Sequence, residues 1–208
     1  MTRSIDPTGI DGVLERAVAN RDLPHVAAIA ADADGVFYEG GAGPRIAGES
    51  DDVVGTSTVF RIMSMTKMVC TTAALQQMER GELDLDAPVE EYVPDFADLK
   101  VLEGFDGDEP ILVEPRTRAT VRHLVTHTSG LAYWFWSEPL QRYEAVTGVP
   151  NVVPGSMAAF QAPLTAHPGE TWTYGINTDW LGRVVEAVAG TTLDVVLRDH
   201  VTGPLGMD

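Results

Sequence analysis

Apolar residues recur three or four positions apart in several separate stretches of the chain, which is the spacing of one face of an α-helix. This spacing predicts helices over residues 8–20, 64–80, 178–189 and 193–201, and a short helix that opens at Thr120. Gly81 and Gly190 follow two of these stretches, and glycine is the most common residue just past the end of a helix. In the helix over 64–80, the predicted buried stripe comprises Met65, Met68, Val69, Thr72, Leu75 and Met78.

Strand signals are fewer and lie near the amino terminus. Two β-capable runs, residues 25–32 and 36–43, flank an Asp-Gly pair, and such a pair between such runs predicts a β-hairpin. Residues 102–116 are acidic and residues 131–170 contain many prolines, and neither stretch shows a clear period, so both are predicted to be irregular. A hairpin alone is marginally stable in water, so the predicted one needs further strands.

The charge of the chain narrows the choice of partners. With 14 basic and 31 acidic residues among 208, the formal net charge is −17, and such a field repels nucleic acid and anionic lipid. Neither nucleic acid nor a membrane is therefore an expected partner. The sequence has no run of about 18 apolar residues, and its first 20 residues lack the apolar core of a signal peptide, which predicts a cytoplasmic protein.

The basic residues are unusual in kind, because only Lys67 and Lys100 are lysines and the other twelve of the 14 are arginines. A lysine amine can lose its proton when it is desolvated, whereas an arginine guanidinium effectively cannot. A lysine kept in a chain that otherwise uses arginine is therefore a candidate functional group. The single cysteine, Cys70, lies in a predicted helix and is expected to be a small core residue.

Lys67 stands three residues after Ser64, at the start of the helix predicted over 64–80. Residues three apart share a helix face, so the amine can lie beside the serine hydroxyl, which is a weak nucleophile until a neighbouring base takes its proton. The amino end of a helix also favours the negative charge that develops during acyl transfer. Spacing alone leaves a second interpretation equally open, in which Ser64 is a helix N-cap and Lys67 an exposed first-turn residue.

Five stretches of the chain resemble, in the same order, segments of the serine β-lactamase-like superfamily, which includes penicillin-binding proteins and family VIII carboxylesterases. They are FRIMSMTK at 60–67, GELDLDAPV at 81–89, VRHLVTHTSGL at 121–131, PGETWTY at 168–174 and PLGM at 204–207. Five ordered matches are far more specific than the serine–lysine spacing alone.

The resemblance implies an α/β fold of the α+β type, in which an antiparallel sheet flanked by helices accompanies a mainly helical subdomain. Residues 1–60 would supply a helix and a hairpin of the sheet domain, and residues 61–208 the helical subdomain that carries the S-x-x-K motif and the catalytic tyrosine. Relatives continue beyond the PLGM segment with further strands and a third motif, K-T-G or H-x-G. We therefore expect the carboxy-terminal strands of the sheet domain to lie after residue 208, and the chain to need that part in order to fold and work.

Carried over by position, the resemblance implies Ser64 as the nucleophile, Lys67 as its activating partner and Tyr174 as the group that bridges the nucleophile and the leaving group. Because an amine and a phenol in contact titrate as a unit, the residues alone do not assign the proton to either. The superfamily uses the HTSG segment at 127–130 structurally, so its histidine and serine are not expected to react.

Candidate substrate contacts are less firmly implied. The aromatic loop over 132–136 could line an acyl pocket through Tyr133 and Trp134, or equally pack between the helical part and the sheet. Asn177 is a candidate substrate contact and is also well placed as a helix N-cap. Ile176 stands where class C β-lactamases carry an asparagine that holds the lactam amide. The sequence is therefore closer to family VIII carboxylesterases, and strong lactamase activity is not expected.

The sequence thus predicts a serine hydrolase that cleaves carboxylic esters of small molecules through an acyl-enzyme on Ser64. One alternative is β-lactamase, DD-peptidase or acyltransferase activity, and another is an inactive fragment or binding module that retains the fold. No cofactor or metal ion is implied, and the scattered histidines show no metal-ligand spacing. The expected partners are a small-molecule ester and the carboxy-terminal part of the same protein, with self-association into a homo-oligomer left open.

Overall fold

The computed structural model describes residues 7–46, 48 and 52–207, and the chain forms two compact units, Met1–Ile62 and Met63–Asp208. The sequence analysis placed this boundary after residue 60. Within the described residues, no helix is both long and apolar enough to cross a lipid bilayer. Each unit builds its own secondary structure from its own stretch of sequence.

The first unit is a helix followed by a hairpin. Its elements are α1 (Pro7–Ala19), β1 (Val26–Asp32) and β2 (Gly35–Ala42), and the two strands pair antiparallel, as predicted. A tight turn at residues 33–34 joins the strands, and the carboxylate of Asp32 accepts a backbone N–H of that turn at 2.9 Å. The Tyr38 hydroxyl donates to the Asp11 carboxylate at 2.9 Å and so ties β2 to α1.

The second unit is mainly helical and carries one small antiparallel sheet. Its helices are α2 (Thr66–Glu79), α3 (Val121–Val125), α4 (Glu138–Thr147), α5 (Asn177–Ala189) and α6 (Leu193–Leu197), and its strands are β3 (Val101–Asp106) and β4 (Glu109–Val113). Short 3-10 turns lie at Met63–Met65, Val89–Glu91, Pro94–Asp98, Trp134–Trp136 and Met157–Gln161. A π-helical turn over Arg198–Thr202 continues α6 to near the end of the chain.

The core of the second unit is built around α5. Its almost completely buried side chains recur at the helical spacing that predicted this element, and they are Trp180, Leu181, Val184 and Val185. Gly190 ends the helix in the left-handed conformation with φ 65°, which confirms the predicted stop. Helices α2, α3 and α6 all contact α5, so its position determines theirs.

The face of α2 that packs inward agrees only in part with the predicted one. Small side chains and one glutamine form that face, namely Cys70, Ala73, Ala74 and Gln77. Met65, just before the helix, is 63% exposed and Met68 is 73% exposed. Small residues allow α2 to lie close to α5, and the Cys70 thiol is 3.8 Å from the Thr178 carbonyl oxygen. Of the predicted stripe, Val69 and Met78 do pack against the core. The rest of the inward face was missed because alanine and cysteine add little to a hydrophobic periodicity, although they determine how closely two helices approach.

Two stretches that were predicted to be irregular are ordered. Residues 101–113 form the β3–β4 hairpin around Gly107, whose φ of 58° suits a tight turn. An Asp-Gly pair stands at this turn, so the signal that predicted the first hairpin was present here too. Helix α4 begins behind Ser137, whose hydroxyl accepts the Leu140 N–H, and it ends at Gly148 with φ 73°. Charge in the first stretch and prolines around the second obscured both elements.

Helix α3 begins at a reciprocal cap, close to the predicted start. The Thr120 hydroxyl accepts the His123 N–H at 3.4 Å, and Nδ1 of His123 accepts the Thr120 N–H at 3.1 Å. Two N–H groups that lack intrahelical partners are thereby satisfied. This cap defines where α3 begins.

Candidate active site

Ser64 is exposed and lies in the 3-10 turn immediately ahead of α2. The preceding residue, Met63, has φ 49°, a left-handed conformation that is unfavourable for a side chain with a Cβ atom. Backbone strain of this kind is concentrated at functional sites. The chain therefore holds Ser64 on a sharp corner at the amino end of a helix, where N–H groups without intrahelical partners favour negative charge.

Lys67 occupies the first turn of α2 and is half-buried. Its Nζ is 3.5 Å from the Ser64 hydroxyl oxygen and 3.0 Å from the Tyr133 hydroxyl oxygen. The same ammonium group lies 4.9 Å from the ring centroid of Tyr174 and 5.3 Å from that of Tyr133. The structure thus brings the three residues predicted to be catalytic together and adds Tyr133 as a fourth member of the group.

The amine and the phenols shift each other's protonation. Burial lowers the pKa of Lys67, but hydrogen bonds to Tyr133 and Tyr174 outweigh this effect and hold the pKa above the ordinary value of a lysine. A hydrogen bond to Ser64 holds the pKa of Tyr174 below the ordinary value of a tyrosine, and a weaker effect of Lys67 acts in the same direction. Burial opposes this shift. The favoured state is therefore a protonated amine beside a phenol that loses its proton more readily than usual.

One buried amide joins the two chain segments that carry the tyrosines. The Asn177 side chain, at the first residue of α5, donates from Nδ2 to the backbone oxygens of Leu131 and Thr173, both at 3.1 Å. Its Oδ1 accepts the Ser129 hydroxyl at 2.6 Å. A backbone hydrogen bond from the Thr173 N–H to the His127 oxygen, 2.7 Å long, adds a further link. The two segments are therefore fixed against each other.

This bridging role replaces the roles that the sequence suggested for Asn177. The side chain is fully buried and its amide hydrogens and oxygen are engaged inside the protein, so they are not available to a substrate. Asn177 is also not the N-cap of α5, a position that Ile176 occupies. Ser129 is equally buried, and its hydroxyl donates to Asn177, which is a structural role.

Gly175 allows the two segments to approach closely. A Cβ atom placed on it would lie 2.4 Å from the Leu131 backbone oxygen and 2.5 Å from the Cα of Ala132. Gly130, with φ 90°, is similarly confined, because a Cβ atom there would lie 2.1 Å from the Ala166 oxygen. Backbone contact therefore requires glycine at both positions.

The aromatic loop over 132–136 has one part beside the serine and one part packed against apolar side chains. Tyr133 faces the Lys67 amine, and Trp136, which is 69% exposed, borders a cleft beside the serine. Trp134 is half-buried and packs against a small apolar cluster that contains Leu140. Its substrate contact stays a prediction, and the contact that the structure shows for Trp134 is this packing.

Trp172 belongs to the site but was not predicted. It is 66% exposed, and its ring stacks on that of Tyr174 with centroids 6.1 Å apart and planes inclined by 22°. Alternate residues of an extended segment lie on one side of the chain, so the position two residues before the predicted catalytic tyrosine was the available signal.

Two cavities open beside Ser64. The larger, of about 950 Å³, is lined mainly by aromatic and small polar side chains, among them Trp136, Ser137, Thr165, Trp172, Thr173 and Tyr174. The smaller, of about 300 Å³, is lined by Lys67, Cys70, Tyr133, Thr178 and Asp179, among others. Across residues 7–46, 48 and 52–207, no three His, Cys, Asp or Glu side chains are grouped in a way that could hold a metal ion.

The family model for beta-lactamases matches residues 10–208 of the chain. The monacolin J acid methylbutanoyltransferase of Aspergillus terreus is 35% identical over 205 residues, which are 95% of this chain and 50% of that protein. The lovastatin esterase of Penicillium rubens is 35% identical over 204 residues, which are 95% of this chain and 51% of that protein. The solved structure of unliganded simvastatin synthase LovD from Aspergillus terreus aligns with a TM-score of 0.85 and 35% identity, over 98% of this chain and 54% of that one.

These matches confirm the resemblance drawn from five short segments, and the structural alignment confirms the expected fold class. The chain spans about half the length of the relatives that it matches. What those relatives do as whole proteins therefore bears on this chain only as support for a proposal.

Replacing Gly175 by alanine is expected to force the two segments apart, because the new Cβ atom would overlap backbone atoms of Leu131 and Ala132. We expect G175A to lower the free energy of unfolding of the intact protein by about 2 kcal/mol or more, as overpacking of a well-packed region does. Urea denaturation measures the change. Gly104→Ala is the matched control, since a Cβ atom there meets nothing within 4 Å. Equal stability of the two variants would contradict the close approach.

Proposed function

The chain belongs to the beta-lactamase family, and on this premise we propose that it is a serine hydrolase that cleaves carboxylic esters of small molecules through an acyl-enzyme on Ser64. The observation that carries the proposal is the place of the Ser64 hydroxyl, 3.5 Å from Lys67 Nζ and hydrogen-bonded to a Tyr174 phenol whose pKa that contact lowers. A hydroxyl in this setting can give up its proton as it attacks a carbonyl carbon. The relatives named above include an esterase and an acyltransferase, which supports this class of reaction.

Tyr174 is the base in the proposed reaction. The contacts that raise the pKa of Lys67 disfavour its amine as the proton acceptor, whereas those that lower the pKa of Tyr174 favour its phenol in that role. As Ser64 Oγ bonds to the ester carbonyl carbon, its proton passes to the phenolate, and the Lys67 ammonium stabilises the negative charge that develops. Tyr174 then gives the proton to the alcohol oxygen as the ester bond breaks.

Release of the acyl group repeats these steps with water. The Tyr174 phenolate takes a proton from a water molecule whose oxygen attacks the acyl carbonyl carbon. That proton passes to Ser64 Oγ as its bond to the acyl group breaks, and a carboxylic acid leaves. Tyr133, whose hydroxyl oxygen accepts a hydrogen bond from Lys67 Nζ at 3.0 Å, holds the ammonium group in place through both halves of the cycle.

The cleft favours an apolar ester over a β-lactam. Trp136 and Trp172 border the larger cavity and offer flat apolar surface to an acyl or alcohol group. Ile176 takes the place of the asparagine that class C β-lactamases use for the lactam amide. It is only 4% exposed and its side chain carries no hydrogen-bonding group.

The intact protein is therefore expected to hydrolyse p-nitrophenyl butyrate and to leave nitrocefin, a chromogenic β-lactam, unchanged. S64A should lower the esterase rate by about 10³-fold or more, because the covalent route is lost. Ser156→Ala, at an exposed serine that caps a 3-10 turn, is the matched control and should keep the full rate. Full turnover by S64A, or faster cleavage of nitrocefin than of the ester, would contradict the proposal.

The rate of acylation is expected to rise with pH, because Tyr174 acts as a base only after it loses its proton. The midpoint of the rise should lie below 10.0, the ordinary pKa of a tyrosine, because the contacts of Tyr174 lower its pKa. The burst of p-nitrophenol at a series of pH values measures this dependence.

Y174F should show no rise of the rate with pH. Its acylation rate should be about 10²–10⁴-fold lower, which is the usual contribution of a general base. Tyr143→Phe makes the same chemical change at a buried tyrosine of the apolar cluster around Leu140, and it should keep the wild-type profile. A rate that falls as the pH rises over this range would show that the base is another group.

Transfer of the acyl group to an alcohol is a second candidate function, favoured by the two cavities that open beside Ser64. An acyl group in one cavity leaves the other for an acceptor. Adding n-butanol to the p-nitrophenyl butyrate reaction should then produce butyl butyrate at the expense of butyric acid. Formation of butyric acid alone, at every concentration of the alcohol, would limit the protein to hydrolysis.

A further inference from the structure

His127 combines two properties that rarely occur together. Its backbone adopts a left-handed conformation with φ 57°, in the turn that follows α3. Its imidazole lies against the Tyr174 ring, with centroids 4.9 Å apart and planes inclined by 34°, and it approaches the Trp172 ring at 6.2 Å. These separations are typical of offset aromatic contacts.

Hydrogen bonding does not explain the side chain of His127. Among the described residues, its Nδ1 is buried and finds no hydrogen-bond partner, which is an unfavourable state for a polar atom. Burial, and after it the charge of Lys67, lowers the pKa of the imidazole. The lowered pKa favours a neutral ring, which adds no second cation beside Lys67, and the closest ring contact that the structure shows for this imidazole is with Tyr174.

The backbone restricts which residue types suit this position. Left-handed φ values are uncommon for residues with a Cβ atom, but asparagine, aspartate and histidine are several-fold enriched there, and histidine alone of these carries an aromatic ring. The turn is held on both sides of His127. Its N–H donates to the Leu124 oxygen at 3.3 Å, and its own oxygen accepts the Thr173 N–H at 2.7 Å. Histidine thus tolerates the left-handed backbone of the turn and also supplies the ring that contacts Tyr174.

We propose that His127 is a positioning residue that holds the Tyr174 ring in the orientation from which its phenol reaches Ser64. The proposal rests on the esterase function proposed above, since it concerns the proton acceptor of that reaction. His127 is the nearest ring to Tyr174 in the described part of the chain. The next rings, those of Trp136 at 5.5 Å and Tyr133 at 5.6 Å, belong to a loop that is itself partly exposed.

Two variants of the intact protein separate the effect of the left-handed backbone from the effect of the aromatic ring at residue 127. His127→Asn keeps a residue type that tolerates the left-handed turn but removes the ring, whereas His127→Phe keeps a ring and strains the turn. We expect the asparagine variant to resist urea better and yet to react with a fluorophosphonate at Ser64 at least about fivefold more slowly than the phenylalanine variant. Stability and rate would then rank the two variants in opposite orders, which a merely structural role would not produce.

A third variant, His127→Gly, keeps the inference testable if the phenylalanine variant does not fold. Glycine accepts the left-handed turn and leaves a space the size of the missing ring. Added imidazole is expected to raise the labelling rate of the glycine variant severalfold, and to leave the wild-type and asparagine rates unchanged.

His123→Gln is the matched control, because this histidine lies in the α3 cap, where glutamine can still accept the Thr120 N–H, and the change should not slow labelling of the folded protein. The inference is overturned if the asparagine variant is labelled as fast as the phenylalanine variant, or if imidazole leaves the glycine variant unchanged. Wild-type protein that resists labelling at Ser64 would overturn the esterase function and this inference together. Normal wild-type labelling with equal variant rates would overturn the inference alone.

Discussion

The site depends on one buried amide. Asn177 bonds to Ser129, Leu131 and Thr173, and so joins a loop that carries Tyr133 to a segment that carries the second tyrosine of the site. A fully buried amide is tolerated only when its hydrogen bonds are made, so breaking one leaves polar atoms unsatisfied and destabilises the arrangement. The network therefore specifies where the two segments meet as well as stabilising them.

The electrostatics of the site follow from that geometry. A chain of net charge −17 places one of its two lysines among phenols, and Lys67 keeps its proton there because hydrogen bonds to them outweigh the effect of burial. The pKa of the Tyr174 phenol is lowered most by its hydrogen bond to Ser64, and its contact with Lys67 lowers it further. Before any substrate arrives, the contacts thus favour a charged Lys67 and ease the loss of the Tyr174 proton, beside Ser64.

Sequence patterns predicted the parts of the molecule whose signals are local. The periodicity of α5 and the cap of α3 coincide with how these helices pack, whereas the inward face of α2 depends on small residues that a hydrophobic pattern ignores. Motifs likewise located Ser64, Lys67 and Tyr174, which the structure brings together. They could not predict the pairing of Lys67 with Tyr133, 66 residues away, or the bridging role of Asn177, because both depend on how the loop between them folds.

The central claim is that Ser64 carries the acyl group during turnover. Its most direct test is to quench the intact protein with acid while it turns over p-nitrophenyl butyrate and to locate the adduct by tandem mass spectrometry of its peptides. We expect a butyryl group on Ser64 that disappears once the substrate is consumed. A butyryl group on another residue, or turnover with no acylated protein at any time, would contradict it.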